Sequence, residues 1–117
     1  MMQMVKKAKG EKEEQDPLTE AETQELKDVC AAAALNMSIC FFQLKNYLKS
    51  KEKATQSIDI KKSIKGFYRR AQARAFLKDF DGACDDLKEA IKLDTTDPND
   101  CQAELIKYEK YAAAARK

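Results

Sequence analysis

The sequence predicts an all-α fold, and three observations carry that prediction. The chain of 117 residues holds only three Gly and two Pro, so residues that interrupt helices are scarce. Its composition is dominated by Ala, Leu, Lys, Glu and Gln, which favour helices. Apolar residues recur every three or four positions, and no segment alternates as a strand does. A chain of this length is expected to form one domain.

The composition also argues against several classes of function. The formal net charge is only +2, from 22 basic and 20 acidic residues, so no nucleic-acid partner is expected. The sequence has no His and no C-x-x-C pair, which predicts no metal and no cofactor. No apolar run approaches the roughly 20 residues of a membrane span, so no membrane partner is expected. The cysteines, three of which lie on apolar helical stripes, are expected to be buried, reduced thiols of a cytoplasmic protein: Cys30, Cys40, Cys84 and Cys101.

The first helix is predicted over roughly residues 19–45. Thr19 and Glu22 have the spacing of a capping box, in which each side chain satisfies a free backbone N–H at the helix start. The helix is preceded by a charged N-terminal segment, residues 1–16, in which Met1, Met4 and Val5 suggest the remnant of an earlier helix. Its own apolar stripe consists of Leu26, Cys30, Ala33/Ala34, Met37, Phe41 and Leu44.

Four more helices follow. A weaker second helix, about 48–60, has few residues that can be buried: Tyr47, Leu48, Ala54, Ile58 and Ile60. A third helix, about 62–77, carries Ile64, Phe67, Ala71, Ala75 and Leu77. After a break at residues 78–79, the fourth carries Phe80, Ala83, Cys84, Leu87, Ala90 and Ile91. In the fifth, Asp97 is the expected N-cap and Pro98 the first helical residue, and one side carries Cys101, Leu105, Tyr108 and Ala112.

The helices fall into an internal repeat. When residues 34–47 are aligned with residues 67–80, an offset of 33, Leu-Lys followed by Asn or Asp and an aromatic residue occurs twice. Small residues coincide as well: Ser38 aligns with Ala71, and Ser50 aligns with Ala83. Small side chains are needed where the two antiparallel helices of a hairpin cross closely, so the sequence predicts two helical hairpins followed by a terminal helix.

This pattern resembles the tetratricopeptide repeat (TPR) family, whose period is about 34 residues. The family pattern W-x2-L-G-x2-Y then A-x3-F is matched loosely, with Phe67, Ala71 and Ala83 at the corresponding positions of the second copy. The resemblance implies a TPR-like α–α superhelix. Within a domain of residues 17–117, it would hold two helix-turn-helix repeats, about 30–62 and 63–96, and a C-terminal capping helix, about 98–116.

Three residues match the carboxylate-clamp type of TPR. That type is known by an Asn on the first helix of one repeat and a Lys and an Arg four residues apart on the next. Asn36, Lys65 and Arg69 fit, with Arg69 one repeat after Asn36 and Lys65 on the same helix face as Arg69. The resemblance implies that they bind the C-terminal Glu-Glu-Val-Asp tail of a cytosolic heat-shock chaperone. Exposed charges on a helix are more often merely solvated, which is the plain alternative.

The amino-acid sequence of the second repeat and of the last helix is similar to that of the TPR domain of large immunophilins, with the cyclophilin branch nearest. These are peptidyl-prolyl isomerases whose TPR domain is C-terminal, so the resemblance implies a catalytic domain ahead of this chain and no catalytic residue within it. The family has a further repeat before these two, which donates a Lys and an Asn to the clamp. Without that repeat, we expect the first helix to expose an apolar flank, tail binding to weaken and the chain to form a homo-oligomer.

Other readings remain open. One is a TPR adaptor that binds a different partner through the same groove, without chaperone-tail binding. Calmodulin binding by the basic, amphipathic last helix and nucleic-acid binding through residues 69–74 are weaker alternatives. Arg70 and Arg74 are expected to brace the hairpin by reaching acidic neighbours: Asp81, Asp85 or Asp86. The pair Asp85-Asp86 is otherwise interpreted as a solvated face, since nothing in the sequence indicates a catalytic site.

Overall fold

The computed structural model describes residues 17–97 and 100–116, and these form helices without any strand. The all-α prediction is therefore confirmed for the described residues. The segment 1–16 and Pro98, on which two of the predictions fall, lie outside them. The helices are, in order, α1 (Glu20–Gln43), α2 (Tyr47–Ile60), α3 (Ile64–Phe76), α4 (Phe80–Leu93) and α5 (Cys101–Ala115).

Each helix packs against the next one in the chain, and α1 also contacts α3. The main core lies between α3, α4 and α5, with Ile58 of α2 added to it. Every residue of the apolar stripe predicted for α5 is buried, and so are the four central residues of the α4 stripe. The core residues are Ile58, Phe67, Ala71, Ala75, Ala83, Cys84, Leu87, Ala90, Cys101, Leu105 and Tyr108.

The two hairpins cross closely at the small residues that the repeat alignment singled out. Ala71 and Ala83 are fully buried between α3 and α4, and Ser38 and Ser50 have 0% and 1% exposure between α1 and α2. The Ser38 hydroxyl donates to the Ser50 carbonyl at 2.8 Å, and the Ser50 hydroxyl donates to the Ser38 carbonyl at 2.8 Å. Ser57 donates in the same way to the carbonyl of Ala31. Small size lets the helices approach, and the hydroxyls find partners in the other backbone.

The turns inside the hairpins repeat each other residue for residue. Lys45 and Lys78, which are 33 positions apart, both adopt left-handed backbone angles, with φ of 65° and 70°. The next residues, Asn46 and Asp79, both cap the following helix by accepting a hydrogen bond from the backbone N–H three positions on. Asn46, which directly follows the predicted first helix, therefore caps the start of α2.

The starts of α1 and α5 both have side-chain caps. The Thr19–Glu22 capping box is present in both directions, at 3.1 and 3.0 Å. Helix α5 begins at Cys101, directly after Asp100, and the predicted first position, Pro98, lies outside the described residues. Asp97 still caps it from a distance, because its carboxylate accepts from the backbone N–H groups of Cys101 and Gln102 at 2.6 and 2.9 Å.

Several predictions of burial are wrong, most of them on α1 and α2. Leu48, Ile60 and Leu77 are exposed. Cys84 and Cys101 are buried, but Cys30 and Cys40 are exposed on α1. The reason is geometric, since α1 packs onto α2 through small residues, and most of its larger apolar side chains lie on another side of the helix. Val29 is exposed as well. Six exposed residues spaced three or four apart, called the α1 flank below, form one stripe: Leu26, Cys30, Ala33, Met37, Cys40 and Leu44.

Candidate peptide-binding site

The three residues singled out in the sequence lie together in one surface depression. It is formed where α1 faces α3 and has a volume of about 210 Å³. Helix α1 contributes residues spaced three and four apart, which places them on one face, and α3 does the same. The lining residues, which define the α1–α3 depression, are Leu35, Asn36, Ile39, Lys65, Tyr68 and Arg69.

The polar groups of this depression differ in how they are held. Asn36 and Lys65 are exposed, and within residues 17–97 and 100–116 neither side chain has a hydrogen-bond or ion-pair partner. Arg69 is half-buried, donates to the side-chain oxygen of Gln72 at 3.2 Å and has its guanidinium carbon 5.9 Å from the ring centre of Tyr68. Arg69 is thus held in place by neighbours on its own helix, whereas no described residue occupies the donors of Asn36 and Lys65.

A second depression adjoins the first and shares Leu35 and Lys65 with it. Its volume is also about 210 Å³, and small or apolar side chains such as Ala32 form much of its wall. An ion pair between Lys61 and Asp28, at 2.7 Å, borders it. The two depressions therefore adjoin at Leu35 and Lys65, with cationic and amide donors in the first and mainly apolar surface in the second.

Arg70 and Arg74 take no part in this depression. Arg70 holds both oxygens of the Asp86 carboxylate, with its Nη2 at 2.8 Å from Oδ1 and its Nε at 3.0 Å from Oδ2. Arg74 donates to the same carboxylate at 3.2 Å. The predicted bracing of the hairpin is confirmed with Asp86 as the shared partner of both, and Asp81 pairs instead with Arg116.

Asp86 corrects the interpretation of residues 85 and 86 as a solvated face. Its residue exposure is 2%, whereas Asp85 is exposed. Burial raises the pKa of the Asp86 carboxyl, and the hydrogen bonds and charges of Arg70 and Arg74 oppose that rise. The carboxylate and the two guanidiniums form a structural network between α3 and α4, so two of the three arginines in residues 69–74 are committed within the fold.

The sequence interpretation missed the aromatic and apolar part of the candidate site. Tyr68 lies three residues after Lys65 and therefore on the same face, and this spacing alone was a usable signal. Burial and the nearby carboxylate of Glu104 raise the pKa of Tyr68. Its phenol offers the depression a further hydrogen-bond donor. Ile39 follows the same rule on α1, three residues after Asn36, whereas Leu35 directly precedes Asn36 and gave no such signal.

The arrangement can bind a small anionic group. Lysine offers three donors, arginine a planar fork and asparagine an amide, and a carboxylate accepts from all of them.

In the described part of the chain, no cluster of three or more His, Cys, Asp or Glu side chains could hold a metal ion. Nor does any helix in that part have the length and apolar character needed to cross a membrane. No protein-family model matches this sequence.

Proposed function

We propose that this chain is a peptide-binding module that holds the C-terminal carboxylates of an acidic peptide in the α1–α3 depression. The observation that carries the proposal is the convergence of Asn36, Lys65 and Arg69 on that one depression. Asn36 lies on α1, whereas Lys65 and Arg69 lie on α3, 29 and 33 positions later in the chain. Random solvated charges would have no reason to converge with an amide on one site.

The physical case rests on how the donors are supported. Arg69 is oriented by Gln72 and Tyr68, so little side-chain entropy is lost when it binds a carboxylate. A peptide that ends in Asp presents two carboxylates on one residue, from the backbone terminus and the side chain. Lys65 and Arg69 supply one cation for each, and Asn36 supplies a neutral donor. The apolar surface next to Leu35 and Ala32 suits the apolar residue that precedes the last Asp in a Glu-Glu-Val-Asp tail.

The proposal extends to the fold of this chain and to the full-length protein of which it would be a part. The repeated turns and the close hairpin crossings support a TPR-like superhelix, in which first helices line a shared concave surface. The partner is then the tail of a cytosolic heat-shock chaperone, and the parent protein is a large immunophilin whose isomerase activity resides in another domain. The competing proposal is a TPR adaptor that uses the same surface for a different partner.

The test is a calorimetric titration with an acidic pentapeptide ending in Glu-Glu-Val-Asp and with its C-terminally amidated form. We expect the free acid to bind and the amide to bind at least about tenfold more weakly, because one charge-assisted set of hydrogen bonds is lost. Equal binding of the two peptides would refute the carboxylate site. Binding of neither would favour the adaptor over the chaperone-tail module.

A variant pair separates the site from general electrostatics. Arg69→Ala should weaken the free-acid peptide by about 10- to 100-fold, which corresponds to roughly 1.5–3 kcal/mol for a charged hydrogen bond. Arg116→Ala is the matched control, since it removes the same charge from the far end of α5, where Arg116 pairs with Asp81. If both variants weakened binding equally, the effect would come from net charge and not from the site.

A further inference from the structure

The α1 flank is a continuous apolar surface that no described part of the chain covers. Leu26, Met37 and Leu44 keep 52%, 45% and 75% of their surface exposed. Cys30, Cys40 and Ala33 between them are exposed as well. A different side of α1, which contacts α2, carries the buried Ala31, Ala34 and Ser38. Soluble proteins rarely leave a patch of this kind open, and such patches mark interaction sites.

The spacing along the α1 flank is that of a coiled coil. The intervals from residue 26 to residue 44 are four, three, four, three and four, so an apolar residue fills every a and d position of the heptad. With Cys30, Met37 and Leu44 at a, the d positions fall on Leu26, Ala33 and Cys40. A surface that serves only as solvated helix has no reason to keep this repeat from residue 26 to residue 44.

The charges at the two ends of α1 favour a second copy in the opposite direction. Its first turns carry exposed Glu20, Glu22 and Glu25, whereas Lys45 and Lys49 follow its last turn. When two copies lie antiparallel, acidic ends face basic ends, and the helix dipoles also oppose. A parallel pair would bring like charges together at both ends.

We infer that this chain forms an antiparallel homodimer in which the α1 flanks of two copies pack against each other. In an antiparallel coiled coil, a positions pack against d positions of the partner helix. With the two-fold axis between residues 33 and 37, Leu26 meets the second copy's Leu44, and Met37 meets the second copy's Ala33. Cys30 then meets the second copy's Cys40. The dimer is weak, because each copy contributes only six side chains, three of which are Ala or Cys.

The first test is sedimentation equilibrium of the full chain over a wide concentration range. We expect a reversible monomer–dimer equilibrium. Met37→Glu should raise the dissociation constant by about tenfold or more, because two carboxylates per dimer would be buried without partners. The matched control is Ile106→Glu on α5, whose side chain is exposed to a similar degree, 48%. It should leave the equilibrium unchanged.

Two results would overturn the inference. One is a monomer at every concentration, which is also expected if residues 1–16 cover the α1 flank within the same chain. The other is an equal weakening by Ile106→Glu and Met37→Glu.

The second test fixes the orientation with a short bismaleimide, which joins two thiols. Cys84 and Cys101 are buried, so only Cys30 and Cys40 are accessible. The wild-type chain should give a covalent dimer, and Cys30→Ser and Cys40→Ser should each abolish it, because every link joins one of these residues to the other. An equimolar mixture of the two variants should recover a singly linked dimer. Efficient linking within either single variant would show like-to-like contacts and refute the antiparallel arrangement.

Discussion

Replacing Asp86 by Asn tests whether the α3–α4 hairpin depends on its buried charge network. The substitution keeps the shape of the side chain and removes its negative charge. Asp86 is 2% exposed and accepts hydrogen bonds from Arg70 and Arg74. In the variant, two guanidiniums would be left beside a neutral amide that cannot accept at both of its ends.

The expected cost follows from the exposure of the three groups. Removing one partner of a fully buried ion pair costs about 3–5 kcal/mol. The Arg70 and Arg74 side chains retain 16% and 25% exposure, so both can regain some water. Burial raises the pKa of Asp86 despite these partners, so desolvation outweighs what the carboxylate gains from pairing, and the cost of the substitution comes from the two guanidiniums that lose their acceptor. We therefore expect a loss of about 2 kcal/mol in the free energy of unfolding, or a fall of about 8 °C in Tm for a domain of this size.

Urea unfolding followed by far-ultraviolet circular dichroism measures this loss, with a thermal scan as a second measurement. Asp85→Asn is the matched control, because Asp85 is the adjacent residue on the same helix and is exposed. It should change stability by less than about 0.5 kcal/mol. If Asp86→Asn also stayed within about 0.5 kcal/mol of the wild type, the network would not stabilise the hairpin and the argument would be wrong.

Two further predictions concern the helix crossing and the alkaline range. Ser38→Ala should lower the free energy of unfolding by about 1 kcal/mol, because one buried hydrogen bond is lost. Ser38→Val should lower it further, because the close helix crossing has no room for a larger side chain. Urea titrations of both variants measure the order, and a Ser38→Val variant as stable as the wild type would contradict the close crossing. Burial raises the pKa of Cys101 from 9.0 to about 11, so the unfolded chain loses this proton first and stability should fall as pH rises above about 9. Unfolding measured at increasing pH should show this fall and a smaller one in Cys101→Ala, whereas identical slopes for the two chains would exclude Cys101 as a cause.

The predicted helices match the structure because their signals are local. Helix starts at Thr19, Asn46 and Asp79 depend on a side chain and a backbone N–H three residues away. The two turns, 33 positions apart, likewise have the same conformation, because similar residues set similar backbone angles at Lys45 and Lys78. The pairing of Asn36 with Arg69 followed from the same offset.

What the sequence could not determine is which side of a helix finds a neighbour. Helix α1 has both a stripe of larger apolar residues and a stripe of small ones, and periodicity alone favoured the larger stripe. The tertiary structure packs α2 against Ala31, Ala34 and Ser38, because a close crossing requires small side chains, and leaves Leu26 and Met37 exposed.

The same limit applies to Asp86 and Tyr68. From sequence alone, two adjacent acidic residues are predicted to be exposed. The cost of burying a carboxylate is offset only by hydrogen-bonding or charged partners, which here come from another helix. Those partners, Arg70 and Arg74, meet Asp86 only once α3 and α4 have packed. Local propensity and capping thus determined the helices and turns of this protein by sequence alone. Packing between helices decided which charges are structural, which groups line the α1–α3 depression and which apolar surface stays open, because burial is a property of two elements and not of one.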